Sequence, residues 1–250
     1  MSEHNAVSPR SLISLDGLVV ARDGRLVLDA FSWATRRGEH WFILGANGCG
    51  KTTLLEIIAG YLWPREGRVH VLGHRYGRVN LADLRRRIGY VSPWIFNSMD
   101  RGMPLCRVVA SGIDASVGFW GEMIPVLCRQ VRNILKTLGI AEFYDQPFGC
   151  CSSGQQLRAI LGRALINRPS VLLLDEPFAQ LDISARLSMY SLFSCLVNRP
   201  RAPQIIMVTH HLEDIRPFFT HGMIMRAGKI LHQGRRSAIL SPATLKKAFG

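Results

Sequence analysis

Short apolar runs and longer stretches of helical periodicity alternate along this 250-residue chain. Residues 12–20, 26–31, 69–72 and 88–91 read as strands. Trp41-Phe42-Ile43-Leu44 is a fully apolar run that stops at Gly45. Apolar residues then recur at Leu54, Leu55, Ile58 and Ala59, one face of a helix that Gly60 and Pro64 bring to an end. The middle stretch, residues 92–166, is mostly helical in period. Leu127, Val131, Ile134, Leu135 and Leu138 share one helix face, with Gly139 as its stop, and Leu157, Ile160, Leu161, Ala164 and Leu165 share another before Pro169. The last third returns to strand and helix alternation. Residues 171–174 and 205–208 are continuous apolar runs, the pattern of strands covered on both faces. Residues 223–226 and 229–232 flank Ala227-Gly228 as a hairpin does. Ser241-Pro242 offers a hydroxyl cap followed by proline at a first helical position.

This alternation predicts an α/β fold, and three apolar strands end in polar residues: Leu44 at Gly45, Leu174 at Asp175, Thr209 at His210. Ligands of open α/β sheets bind beyond the carboxyl ends of strands, so these three points are expected to share a site. The first is Gly45-Ala46-Asn47-Gly48-Cys49-Gly50-Lys51-Thr52, followed by Thr53, which matches the phosphate-binding pattern G-x-x-x-x-G-K-[ST] between a strand and a helix. Its glycines let backbone N–H groups close around phosphate oxygens, Lys51 adds a point charge, and the Thr52 hydroxyl suits Mg²⁺. The second is Asp175-Glu176: Asp175 is a candidate Mg²⁺ ligand and Glu176 a candidate general base toward water. The third is Thr209-His210-His211, where His210, directly after the strand, is preferred over His211 as the group that reaches the terminal phosphate.

A fourth motif, Cys151-Ser152-Ser153-Gly154-Gln155, precedes an apolar helix. It resembles the Leu-Ser-Gly-Gly-Gln signature of ATP-binding cassette (ABC) ATPases. With Asp175-Glu176-Pro177, then Leu181-Asp182 as a D-loop and Thr209-His210 as an H-switch, the chain resembles that family over nearly its whole length. The resemblance implies a P-loop NTPase with a mixed sheet core, an N-terminal antiparallel β-subdomain and an inserted α-helical subdomain. It implies one domain over residues 11–250, with a core lobe of 11–91 and 167–250 and a helical, signature-bearing lobe of 92–166. It further implies ATP and Mg²⁺ as ligands and a head-to-tail dimer, with an identical or a paired ATPase subunit. In that dimer Ser152, Ser153, Gly154 and Gln155 cover the partner's ATP. The implied activity is ATP hydrolysis driving a separate membrane permease. Uptake of a small ion or metal chelate, served by a solute-binding protein, is the expected direction, and some members of the subgroup it resembles are associated with molybdate or iron uptake. A non-transport ABC ATPase acting on another macromolecular machine is the alternative; such members carry two ATPase domains or a long coiled coil, and this chain shows neither.

Three departures from the family pattern stand out. Cys151 and Ser153 replace leucine and glycine. The aromatic residue that stacks on adenine is missing, and Arg22, a flat cation, is the nearest candidate to replace it. After residues 88–91, where a glutamine is expected, stand Ser92-Pro93; either Ser92 or a polar neighbour such as Asn97 takes its place, or coupling runs differently. Trp94, Ile95, Phe96, Met99, Met103, Leu105 and Trp120 offer either a docking surface for the permease or the core of the helical lobe.

Composition adds limits. The chain is 48% apolar and 20% charged, ordinary for a globular protein. No run reaches the roughly 18 apolar residues of a membrane span. The nearest approach, residues 108–128, contains Asp114 and Glu122, and residues 1–10 lack the apolar core of a signal peptide. The expectation is a cytoplasmic protein, peripheral on the inner face of the plasma membrane. Six cysteines without C-x-x-C spacing then read as reduced thiols, Cys49 as a small loop residue. The net charge of +13 describes a solvated basic surface or one that lies near anionic lipid. No aromatic-and-basic nucleic-acid module is visible, and no specific nucleic-acid partner is expected.

Overall fold

The computed structural model describes residues 11–250; the polar segment 1–10, read above as unlike a signal peptide, lies outside the described residues. In chain order the elements begin with β1 (Ser11–Arg22), β2 (Arg25–Arg36), β3 (Trp41–Leu44), α1 (Lys51–Ile58), β4 (Glu66–Val71), β5 (His74–Arg75) and α2 (Leu81–Arg85). They continue with β6 (Ile88–Val91), α3 (Pro93–Asn97), α4 (Leu105–Ala110), α5 (Pro125–Thr137), α6 (Ser153–Leu165), β7 (Val171–Asp175) and α7 (Ile183–Val197). The last are β8 (Gln204–Thr209), β9 (His221–Arg226), β10 (Lys229–Arg235), α8 (Arg236–Ile239) and α9 (Pro242–Phe249). They fall into two compact units: the residues up to Leu81 with Val208–Gly250, and Ala82–Met207.

In the first unit β2, β1, β4 and β5 form an antiparallel sheet in that order. Leu15, Leu18 and Val20 of β1 and Leu28, Phe31 and Trp33 of β2 are buried, while Asp16, Ser32 and Ala34 are not. β3 runs parallel to β9, and β9 antiparallel to β10, so this sheet is mixed. β3 is buried at all four residues, as a run with no polar position must be. Helix α1 buries Leu54, Leu55, Ile57 and Ile58. Three strand pairs turn on two successive residues of positive φ: Asp23-Gly24 at 49° and 75°, Leu72-Gly73 at 54° and 79°, Ala227-Gly228 at 47° and 75°. That turn matches the right-handed twist of the flanking strands and favours glycine at its second position.

In the second unit β6 pairs in parallel with β7, Ile88 opposite Val171 and Val91 opposite Leu174. Helices α4, α5 and α6 approach closely at Gly162, where a Cβ would meet Ile134, Leu138 and Val109 at 3.1 Å. Polar side chains of α5 and of α6 and its end pin the neighbouring backbone. Arg163 donates to the Ser116 carbonyl at 2.7 Å, Asn167 to the Gly112 carbonyl at 2.8 Å, and Gln130 to the Ile166 carbonyl at 2.6 Å. The stretch 108–128 is divided among α4, a 3-10 turn (Ser111–Asp114), irregular chain and the start of α5; no described helix is long and apolar enough to cross a membrane.

Candidate functional site

The phosphate loop leaves β3 and enters α1 without a side-chain cap, and the first turn of α1 carries no acid. Its positive end and outward N–H groups are thereby available to an anion. Two glycines are required by space. A Cβ on Gly45 would lie 2.6 Å from both Cys49 Sγ and the Met225 carbonyl oxygen. One on Gly50, at φ 103°, would lie 2.9 Å from Leu28 and from the Val27 carbonyl. The loop is further held by the Gly228 N–H, which donates to the Cys49 carbonyl at 3.1 Å. Cys49 is buried here, consistent with a loop residue chosen for size. Buried Lys51 donates through Nζ to the carbonyls of Gly45, at 2.7 Å, and Ala46, at 3.1 Å, so its ammonium sits within the loop. Thr52 is exposed on the first turn and Thr53 buried; Ala46, Asn47 and Gly48 form the exposed rim.

At the end of β1, the exposed Arg22 guanidinium is ion-paired with Glu56 of α1. Glu56 was not singled out in the sequence; its spacing from Lys51 on the same helix was the only available signal. After β8, the Thr209 hydroxyl donates to buried Asp214 at 3.0 Å and accepts from the His211 N–H at 3.0 Å. His211 Nδ1 lies 3.3 Å from Glu213, whereas His210 is exposed, its ring 3.9 Å from that of His211. Asp214, which pattern reading did not single out, thus fixes the Thr209 hydroxyl at the end of β8.

In the second unit Asp175 closes β7, buried, and Glu176 follows at φ 46°. Both line a cavity together with Ser92, Phe96, Ser153 and Leu181. Ser92 is buried and caps α3, its Oγ accepting from the Ile95 N–H at 3.3 Å, with Pro93 at the first helical position. Asn97 is exposed and does not line that cavity.

The signature segment forms a reciprocal cap at the start of α6. Ser152 Oγ accepts from the Gln155 N–H at 3.3 Å, and the Gln155 side-chain oxygen accepts from the Ser152 N–H at 2.8 Å. Cys151 is buried, and burial first, then the neighbouring Cys150, pushes its thiol up from the ordinary value, so it stands as a neutral apolar residue where the family has leucine. Gly154 leaves room for α7, since a Cβ there would meet Ala185 at 3.2 Å. Asp182 caps α7, accepting from the Ala185 N–H at 2.7 Å. All six cysteines are free thiols.

The seven residues that offered either a docking surface or a core divide. Ile95, Met99 and Leu105 are buried, so they belong to the unit's own core and leave the docking surface. Trp94 and Trp120 are exposed, and Phe96 and Met103 are half-buried, Phe96 packing edge-on against Phe148.

Residues 28–179 match the family model described as ABC transporter. An uncharacterised ABC transporter ATP-binding protein of Bacillus subtilis, YlmA, is 32% identical over 95% of this chain and 90% of its own length. The cobalt import ATP-binding protein CbiO of Rhodobacter capsulatus is 32% identical over 92% of this chain and 81% of its own. A solved dimeric ATP-binding cassette, MJ0796 in a post-hydrolysis state with ADP and phosphate, superposes with a TM-score of 0.77 at 24% identity, covering 89% of this chain and 98% of that one. The fold is that of a P-loop ATPase cassette. This chain belongs to the ABC transporter ATP-binding family, and is an ATPase that takes ATP with Mg²⁺.

The donor chemistry fits that metal. Mg²⁺ takes hard oxygen ligands and usually keeps waters and substrate phosphates, relying on one or two protein groups. By donor type alone, the Thr52 hydroxyl of the first unit and the Asp175 carboxylate of the second are each a group of that kind, and among the described residues no cluster of three or more His, Cys, Asp or Glu is assembled to hold a metal alone.

Proposed function

We propose that this chain is the motor subunit of a transporter whose permease is a separate membrane protein, and that two copies close head to tail on two ATP molecules. The observation that carries this reading is the reciprocal cap at Ser152. The cap holds the Ser152 hydroxyl at a helix start whose first turn carries no acid, on a chain that already owns a phosphate loop at the start of α1. A second phosphate-directed helix end is accounted for if it serves the partner's nucleotide. The partner is an identical chain or a paired ATPase subunit. The core lobe, residues 11–91 and 167–250, carries the nucleotide, and the helical lobe, 92–166, carries the signature and meets the permease. The chain is peripheral on the cytoplasmic face of the membrane.

In this reading the amides of Gly45 to Thr53 and the Lys51 ammonium hold the phosphates, and Arg22 stacks on the base. Thr52 and Asp175 are the residues that would hold Mg²⁺, which would supply charge neutralisation to the phosphate oxygens. Glu176 accepts a proton from water as its oxygen attacks the terminal phosphorus, and the bond to the ADP oxygen breaks. His210 orients that water or the base, and Asp182 keeps the start of α7 in place beside the signature helix. Ser92 stands for the missing glutamine because it lines the cavity that Asp175 and Glu176 line. The cobalt-import relative supports uptake of a small ion or metal chelate; a solute-binding protein that delivers it is the remaining partner of this reading.

The test is Glu176→Gln. With ATP and Mg²⁺ the variant is expected to elute as a dimer in size-exclusion chromatography, and as a monomer with ADP. Monomer under both conditions would overturn the head-to-tail reading.

A further inference from the structure

Helix α1 leaves two of its residues unburied, Thr52 on the first turn and Glu56; the others are buried. Four positions apart, the two share one face, with Glu56 about 6 Å farther along the axis from the phosphate loop. The open strip of the helix that follows the loop therefore carries an acid. By charge alone an acid there opposes the anion the loop is built to hold.

Glu56 is not a lone charge, because its Oε2 is ion-paired with Nη2 of Arg22 at the end of β1. Neither side chain makes another hydrogen bond or ion pair among the described residues. Arg22 stands opposite Arg25 across the Asp23-Gly24 turn, so two cations face each other at the tip of this hairpin. Like charges so placed repel, and an arginine without a partner keeps its rotamer freedom. Glu56 selects one position for the guanidinium. The hairpin is in turn fixed against the phosphate loop. Val27 and Leu28 of β2 close on Gly50, the Asp29 N–H donates to the Gly228 carbonyl at 3.3 Å, and the Gly228 N–H donates to the Cys49 carbonyl at 3.1 Å. The guanidinium is thus tied to the strand that leads past the loop and to the helix that leaves it. Its side chain stays 46% exposed. A guanidinium stacks on an aromatic face as a flat cation, and holding it in place beforehand removes the ordering cost from binding.

We propose that Glu56 is a positioning residue for the nucleobase: its carboxylate holds the Arg22 guanidinium in place for the base of ATP to stack on it. The proposal rests on the reading of Arg22 as the stacking group. It adds the residue that lets a flexible cation serve where the family carries a rigid aromatic ring.

KM and kcat for ATP are to be measured on the full chain for the wild type, Glu56→Ala, Arg22→Ala, Arg22→Tyr, and Glu56→Ala combined with each Arg22 variant. Alanine keeps the helix propensity of α1. Glu56→Ala should raise KM about threefold with kcat retained, and Arg22→Ala should raise it about fivefold. Combining the two should raise KM no further than Arg22→Ala alone, because the acid acts through the arginine. In the Arg22→Tyr chain Glu56→Ala should not raise KM, since an aromatic ring needs no acid to hold it. Charge alone predicts the reverse, a lower KM once the acid is gone, and a fall in KM with Glu56→Ala overturns the proposal. A rise of equal size in the Arg22→Ala and Arg22→Tyr chains also overturns it, and assigns Glu56 to the stability of α1. If Arg22→Ala raises KM and Glu56→Ala does not, the proposal fails and the stacking role of Arg22 stands. If neither raises KM, the stacking reading itself falls.

Discussion

Glu176 occupies φ 46°, a region that costs a non-glycine residue on the order of 1–3 kcal/mol. It is held there between buried Asp175 and buried Pro177, where the rigid strand β7 ends and the chain must turn. A backbone held this way sets the direction in which the side chain leaves the chain, which suits the general-base role proposed for Glu176. Gly45 works by the opposite means, since its missing side chain lets Cys49 and Met225 close on the loop. A third residue, remote from this chemistry in sequence pattern, sets a pH limit. His40 precedes β3, with its N–H on the Thr220 hydroxyl at 3.0 Å and its ring edge-on to Phe218. Burial lowers its pKa from 6.5. The folded state therefore binds this proton more weakly than the unfolded chain does. The His40 contribution is full above pH 6.5 and is lost as pH falls below it. The wild type should show a falling unfolding midpoint as pH drops from 7 through 6 toward 5, where no carboxylate has yet been protonated to a large extent. His40→Gln should flatten that part of the profile; an unchanged slope would assign the loss to other groups.

At the scale of elements, the start of α6 does two things with the same atoms. Ser152 Oγ and the Gln155 side chain satisfy two backbone donors of the helix start, and the same hydroxyl is the group offered to the partner's phosphate in the proposed dimer. Ser152→Ala should lose the cap, worth about 1 kcal/mol, and lower the unfolding midpoint by about 2–4 °C. Gln155→Ala should cost a similar amount of stability yet retain the ATP-bound dimer in the Glu176→Gln background, because the Ser152 hydroxyl stays. Loss of dimer in both would mean that helix integrity, and not the hydroxyl, is what the partner reads. The same comparison shows what the amino-acid pattern conveyed. Strands β3, β6, β7 and β8 were legible because each holds a short apolar run that stops at or just beyond the ends of the strand. Helices α5 and α6 were legible from their apolar faces and glycine or proline stops. Helix α7 was not, because its sequence is apolar nearly all round and leaves Ile183 and Leu187 exposed, so no single face stands out. The Asp23-Gly24 turn between β1 and β2 was not singled out although its dipeptide is a strong hairpin signal, and the strand beyond it, read as residues 26–31, runs to Arg36. Candidate site residues declared by spacing, such as Lys51 and Asp175, were visible in the sequence. Glu56 and Asp214, each paired with another side chain, belong to no motif and are met only in the folded chain.

For the whole molecule, nucleotide and folding are linked by mass action. A ligand that binds the folded chain and not the unfolded one adds stability that grows with its concentration, about 2.7 kcal/mol at a hundred times its dissociation constant. At about 2–4 °C per kcal/mol for a chain of this size, that is a rise of about 5–10 °C in the unfolding midpoint. The Glu176→Gln background is the right one for the measurement, since it removes turnover while the phosphate loop stays whole. Two changes should abolish most of the shift for separate reasons. Lys51→Ala removes the ammonium that sits 2.7 Å from the Gly45 carbonyl, and with it the fixed charge inside the loop. Chelating Mg²⁺ leaves the phosphates' charge to be balanced by that lysine and the start of α1 alone. The lysine variant should fail to gain stability with ATP whether or not metal is present. The Lys51-containing chain should keep a reduced shift in chelator. If Lys51→Ala were stabilised by ATP as fully as its parent, the triphosphate would be held by residues other than those of the loop between β3 and α1. The assignment of Gly45 to Thr53 as the nucleotide grip would then be wrong, even though the family and the fold stand.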